Sequence, residues 1–298
     1  MQINYENLLK YYVKKHLPRA FAFRENIKKK RYEKRVHVRI RETIAYYEEY
    51  GKWPLFGTIE IETVNRCNNT CSFCPVNRNV DTREHRKMDF EVFRRILRSL
   101  KDAAYRGSIG IYSNNEPFLD ERICDFARIA KEIMPDNQLY LYTNGTLLNL
   151  EKFQAIMQYL DKMYIDNYND ALKLIKPVKE IHQFCKTHPV YENKVRIRLR
   201  KLHDVLFTRG GQAPNRKDEH IESLPFGCLL PFRQMVVRPD GKVSLCCNDA
   251  LGKMTLGDLT QQSVEEVWNS EEYRRIRYAL RDGRKDATFL CTGCDSLL

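Results

Sequence analysis

The 298-residue sequence contains no run of about 18 apolar residues, so no membrane-spanning helix is expected. Its first stretch, MQINYENLLKYYVKK, lacks the apolar core of a secretory signal. No low-complexity tract occurs, and 43% hydrophobic with 30% charged residues is the composition of a globular chain. These absences point to the cytoplasm, a reducing compartment. Ten cysteines there argue for metal ligation or catalysis rather than disulfides.

Acidic residues are the scarcer charge: 51 Lys and Arg against 39 Asp and Glu give +12. Residues 1–57 carry 14 of those cations and six of the anions, so two-thirds of the excess sits there. Such a segment is either a solvated helix face or a surface for RNA, anionic lipid or an acidic partner. Spacing by four of Leu9, Val13 and Leu17 predicts a helix over 5–17, stopped by Pro18. Val36, Ile40, Ile44 and Tyr47 predict a second over 34–50.

From residue 58 strands and helices alternate. GTIEIETV, SIGIYS, QLYLYT, KMYID and KVRIRLR read as strands, with helical patterns at 88–104, 121–134, 150–160 and 170–186. That rhythm means a parallel sheet with helices outside. Five or six units are too few for a closed eight-stranded barrel. The expected fold is therefore α/β, a partial (β/α) barrel over 58–205 that binds ligands at the carboxyl ends of its strands. A small C-terminal part over 206–298 follows. RQMVVRPDGKVSLCC reads as a β-hairpin turning at Pro239-Asp240-Gly241, and 263–283 as a helix.

The loop after the first strand, TVNRCNNTCSFCPVNR, lacks a fourth cysteine. Cys67, Cys71 and Cys74 stand at C-x3-C-x2-C spacing, whereas a closed zinc site takes four ligands. Thiolates favour zinc, copper(I) or iron–sulfur clusters, and three on a four-iron cluster leave one iron open to bind something else. A second set, Cys228, Cys246, Cys291 and Cys294, has enough thiolates to close either a cluster or a zinc site.

The three-cysteine loop, with Phe73 before its last cysteine, resembles that of the radical S-adenosylmethionine (SAM) superfamily. The resemblance implies a SAM-binding [4Fe-4S] cluster whose open iron holds the amino and carboxylate groups of SAM. One-electron reduction then cleaves SAM to methionine and a 5′-deoxyadenosyl radical that abstracts a hydrogen atom. SNNEPFL looks like the family's Gly-Gly-Glu-Pro motif, with Asn114 and Asn115 in place of the glycines and Glu116 and Pro117 matching. YTNGTLL, with Thr143 and Asn144, is similar to the family's Thr-Asn-Gly turn. Arg196, Arg198 and Arg200 alternate with apolar residues and are expected inside the barrel, facing a SAM carboxylate or an anionic substrate. Asp166 is expected at the SAM ribose or the substrate, or as a cap on the next helix. The spacing C-x12-G-x4-C…C-x2-C resembles SPASM/Twitch proteins. With the chain closing at Leu298, it implies the shorter form with one auxiliary [4Fe-4S] cluster.

Cys247, beside Cys246, is either a hydrogen-atom donor of the kind an epimerase uses or a small buried residue. Relatives of this kind oxidise or epimerise sugars and cyclitols, or modify peptides. The expected function is oxidation of a small polar molecule, supplied with electrons by flavodoxin or ferredoxin. Peptide maturation, epimerisation, RNA modification and plain electron transfer are the alternatives.

Overall fold

A computed structural model describes residues 2–4, 6–217, 219 and 221–297. In chain order the elements are β1 (Gln2–Asn4), α1 (Glu6–His16), α2 (Pro18–Tyr50), β2 (Thr58–Ile61), α3 (Phe90–Asp102), β3 (Ser108–Gly110), α4 (Ile123–Ile133), β4 (Leu139–Thr143), α5 (Leu150–Met157), β5 (Lys162–Tyr168), α6 (Lys176–Lys186) and β6 (Val195–Arg200). The C-terminal part adds α7 (Leu230–Arg233), β7 (Gln234–Val237), β8 (Lys242–Ser244), β9 (Thr255–Asp258), α8 (Val264–Trp268), α9 (Glu271–Asp282) and α10 (Phe289–Thr292).

One sheet runs β1-β6-β5-β4-β3-β2-β7-β8-β9. Every pair from β1 to β7 is parallel, and only β7–β8 and β8–β9 are antiparallel. This is the α/β partial barrel with helices outside. The strand residues that face the helices are buried: Ile59, Ile61, Leu139, Leu141, Met163, Ile165, Val195 and Ile197. Against them pack amphipathic helices such as α3, whose buried stripe is Phe93, Ile96, Leu97 and Leu100.

The structure departs from the sequence expectation in four places. Residues 18–33 are helical, so α2 runs unbroken for 33 residues. Pro18 begins that helix, at a position whose N–H has no intrahelical partner, rather than only ending the previous one. The lysine-rich stretch buries no apolar stripe that would announce it, although Lys and Arg are good helix formers. At the N-terminus, Gln2–Asn4 adds a strand parallel to β6 where only helix was expected. In the C-terminal part, the hairpin's first strand β7 pairs parallel with β2 and so extends the barrel sheet itself. Residues 263–283 form two helices, because the Ser270 hydroxyl caps Tyr273 N and restarts the chain after Asn269.

The hairpin turn needs glycine. Gly241 has φ +78°, and a Cβ there would lie 2.6 Å from Thr260 Cγ2. Buried Arg277 ties the C-terminal helices together. It stacks 3.9 Å over Trp268 and donates to Pro231 O and Trp268 O, and burial lowers its pKa to about 9.

Candidate functional site

The carboxyl ends of β2 to β6 open on a cavity of about 330 Å³, within the range of small-molecule sites. Cys67, Cys71 and Cys74 all line it. Their loop is fixed by its own polar side chains: Asn77 Nδ2 donates to Cys71 O at 3.2 Å and to Cys74 O at 2.8 Å. Asn144 Nδ2 reaches Asn68 Oδ1 at 2.9 Å, tying the loop to the end of β4. Ser72 N donates to Leu202 O, tying it to the segment after β6. Burial raises the Cys67 thiol to about 12 and pushes Cys71 up as well. Thiolate in this pocket therefore depends on an electrophilic partner such as iron.

Glu116 follows β3 and is buried. Its carboxylate accepts from Thr143 Oγ1 at 2.7 Å, Asn144 N at 2.7 Å and Phe118 N at 3.1 Å. Burial raises its pKa to about 7. Pro117 opens the turn that Glu116 caps. The Thr143-Asn144-Gly145 turn also requires glycine, with φ +77° and a Cβ position 2.6 Å from Val178 Cγ2. Asn115 lines the same wall. Its Oδ1 accepts from Ser113 N, while its Nδ2, like Asn69 Nδ2, is buried with no partner. Two orphaned donors beside three thiols and a carboxylate suit a ligand that brings its own acceptors, as a carboxylate-bearing cofactor does.

Phe73 is buried on the cavity wall, its ring centroid 6.1 Å from that of Tyr168. Asp166 pairs with Arg198 through two bonds, 2.6 and 2.9 Å, and with Arg200 at 3.4 Å. All three line the cavity, and Arg198 lies 4.8 Å over the Tyr142 ring. Asp166 is thus the partner of two inward arginines and not a helix cap. Arg196 is exposed, outside this group.

Cys228, Cys246, Cys291 and Cys294 line a second, smaller cavity with Leu230, Pro231 and Leu245. Four thiols around an apolar chamber match the donor set of a fully ligated cluster. The Arg284 guanidinium is buried there, its Nη1 3.5 Å from Cys294 Sγ and 3.2 Å from Cys294 O. Cys246 and Cys247 lie just past β8, in a turn rather than on the strand. They nevertheless part company: Cys246 lines the second cavity and Cys247 the first. Cys247 is therefore a wall residue of the site that also packs, half-buried, against the core. Asn248, buried and with Oδ1 unpartnered, borders both cavities.

One wall was not foreseen. Glu60 points inward from β2 and accepts from Ser113 Oγ at 2.6 Å, Gln234 Nε2 at 2.8 Å and Tyr112 OH at 3.2 Å. Burial raises its pKa to about 6. Arg209 Nη1 donates to Asn114 Oδ1 at 2.6 Å, and Asn114 Nδ2 holds Cys247 O at 3.0 Å. Tyr142 stacks on Tyr164 at 4.4 Å. A signal existed: Glu60 and Glu62 alternate with isoleucines on a central strand, where a buried carboxylate needs a reason.

Comparison with known proteins agrees with this geometry. The Radical SAM superfamily model matches residues 61–207, and the SPASM iron–sulfur cluster-binding domain model matches residues 228–295. A curated relative, the S-adenosyl-L-methionine-dependent 2-deoxy-scyllo-inosamine dehydrogenase of Niallia circulans, is 25% identical over 245 residues, 82% of this chain and 94% of the relative. The crystal structure of BtrN in complex with AdoMet and 2-DOIA superposes with a TM-score of 0.70 at 25% identity, over 82% of this chain and 94% of that one. Streptococcus suis SuiB bound to the precursor peptide SuiA shares the fold, with a TM-score of 0.52 at 14% identity over 85% and 73% of the two chains. The chain belongs to the radical SAM superfamily and carries a C-terminal SPASM/Twitch-type domain, so that its cofactors are SAM, a SAM-binding [4Fe-4S] cluster and an auxiliary one.

Proposed function

We propose that this enzyme dehydrogenates a small polyhydroxylated substrate of the sugar or cyclitol kind. The observation that carries the reading is Cys246-Cys247-Asn248, a thin wall between the cavity of the three-cysteine loop and that of the four-cysteine set. An oxidation that starts with hydrogen-atom abstraction must still dispose of one electron and one proton. The likeness to a cyclitol dehydrogenase supports the same reading.

In this reading Cys67, Cys71 and Cys74 hold the first cluster, and SAM bound there supplies the hydrogen-abstracting radical. Glu116, Asn115, Thr143 and Asn144 position the SAM amino group, while Phe73 and Pro117 shape the same wall. Arg198 and Arg200, oriented by Asp166, offer a cationic wall to a carboxylate. Glu60, Tyr112 and Arg209 meet the substrate hydroxyls, and Glu60 takes the proton released from the hydroxyl whose carbon is oxidised. Cys228, Cys246, Cys291 and Cys294 would hold an auxiliary cluster, which would supply an acceptor for the electron. A flavodoxin or ferredoxin supplies the reducing equivalents for SAM cleavage.

The Arg284 cation beside Cys294 favours added negative charge on the auxiliary cluster. Arg284→Gln is expected to shift that cluster's midpoint potential negative by roughly tens of millivolts, measured by electron paramagnetic resonance titration, with Arg284→Lys restoring most of the shift. A potential unchanged in Arg284→Gln contradicts that role. The functional reading itself is tested by anaerobic turnover of reconstituted enzyme with a panel of inositols, aminocyclitols and hexoses. A ketone formed in step with 5′-deoxyadenosine from one panel member is the expected result. Turnover of a short peptide, with no panel member accepted, contradicts it.

A further inference from the structure

The N-terminal helices bear a surface that the barrel chemistry does not use. Residues 8–35 hold eleven Lys and Arg against two Glu. Among the described residues, only Lys28 of these cations is ion-paired, to Glu25. The inner face of α2 is buried from Tyr32 onward, at Tyr32, Val36, Ile40 and Ile44. Residues 18–31 of the same helix include no buried side chain. At about 1.5 Å per residue this is about 20 Å of helix, on which Phe21, Glu25 and Lys29 are only half-buried.

The exposed face of that half is not simply polar. Phe23 is 69% exposed and Ile27 36% exposed, one turn apart. By helical periodicity they face away from the Tyr32–Val36 stripe. Arg24, Lys30, Arg31 and Lys34, all exposed, surround them. Leu9 and Tyr12 on α1 are each 61% exposed, and Leu17 at the joint is 56% exposed. Exposed apolar side chains set among lysines and arginines are the make-up of a helix that lies in a membrane interface. The cations meet anionic headgroups while the apolar groups enter the acyl boundary. RNA would match the charge, but it leaves the aliphatic Leu9, Leu17 and Ile27 unused. Among the described residues no helix is long and apolar enough to cross a bilayer, so the contact is with its surface.

We propose that α1 and the first half of α2 dock this enzyme on an anionic lipid bilayer. The test is flotation of the full-length, cluster-loaded protein with two kinds of vesicle: phosphatidylcholine alone, and phosphatidylcholine with about 30% phosphatidylserine. Binding to the anionic vesicles at low salt, lost at high salt and absent on neutral vesicles, is expected. Lys30→Glu with Arg31→Glu should lower the bound fraction at least tenfold. Phe23→Ser with Ile27→Ser should lower it several-fold while preserving the salt response. Both variants should cleave SAM at the parental rate, which reports an intact fold.

Several results would overturn the proposal: no binding to anionic vesicles, equal binding to neutral ones, or unchanged vesicle binding in the Phe23→Ser, Ile27→Ser variant. Displacement from vesicles by a homopolymer RNA at equal charge concentration would assign the surface to nucleic acid instead. Because turnover of the small substrate is measured separately, these outcomes leave the dehydrogenase reading untouched.

Discussion

Replacing Cys67, Cys71 and Cys74 together by Ala is expected to halve the iron of the reconstituted protein, from near eight to near four per chain, and to abolish SAM cleavage. The three thiols face one cavity, and Asn77 and Asn144 fix their loop at both ends. No other cysteine lines that cavity except Cys247, whose carbonyl is held by Asn114. No substitute ligand set is therefore at hand, and the loss should exceed roughly 1,000-fold, as when an enzyme loses the group that performs its chemistry. The four remaining iron atoms are expected at Cys228, Cys246, Cys291 and Cys294. Zinc in their place, with four iron in the parent protein, would contradict the auxiliary-cluster assignment while leaving the first site standing. Residual SAM cleavage in the triple variant would contradict the first.

Glu60→Gln is expected to separate two events that the parent enzyme couples. The amide keeps the size and most hydrogen bonds of the carboxylate but cannot take a proton. SAM binding should be little changed, because Glu60 bonds to Tyr112, Ser113 and Gln234 and not to the Glu116 network. Ketone formation should fall by about 100-fold or more, the usual scale of a lost general base. The pH profile gives an independent readout. Burial raises Glu60 to about 6, and the working form is the carboxylate. Product per 5′-deoxyadenosine should hold above that value, decline as pH falls through about 6, and lose this dependence in Glu60→Gln. A variant that forms ketone at the parental rate, or a parent profile flat to pH 5, assigns proton transfer to another group.

Much of this site was legible in the sequence because its chemistry depends on residue type at fixed spacing. The cysteines of both sets could be named from their spacing, and Glu116 and the Thr143-Asn144-Gly145 turn from their resemblance to radical SAM motifs at strand ends, which converge on one rim in a parallel sheet. Alternation with Val195, Ile197 and Leu199 placed Arg196, Arg198 and Arg200 on one face, and of these Arg198 and Arg200 line the cavity while Arg196 is exposed. What escaped depends on contacts between distant segments. Glu60 meets Gln234, 174 residues away, and Arg209 meets Asn114 across 95 residues. Neither pair has a local pattern. The helical state of 18–33 escaped for the opposite reason. It has propensity without a buried stripe, and pattern reading detects helices by the face they bury. The pairing of β7 with β2 is likewise a long-range event that a hairpin signal cannot reveal.

Oxidation and epimerisation begin with the same hydrogen abstraction and differ in what the wall beside the substrate supplies. The auxiliary cavity is lined by Cys246 and Asn248, whereas Cys247 lines the cavity of the three-cysteine loop. Burial pushes that thiol well above its usual range, and Glu60 adds to the shift. The measurement that separates the two outcomes is the mass and solvent-deuterium content of the product formed in D2O from a panel substrate. A product lighter by two hydrogens, with no deuterium at carbon and formed equally by Cys247→Ala, is the predicted result. A product of unchanged formula carrying one solvent deuterium at carbon, and lost in Cys247→Ala, would contradict dehydrogenation and make Cys247 the hydrogen donor.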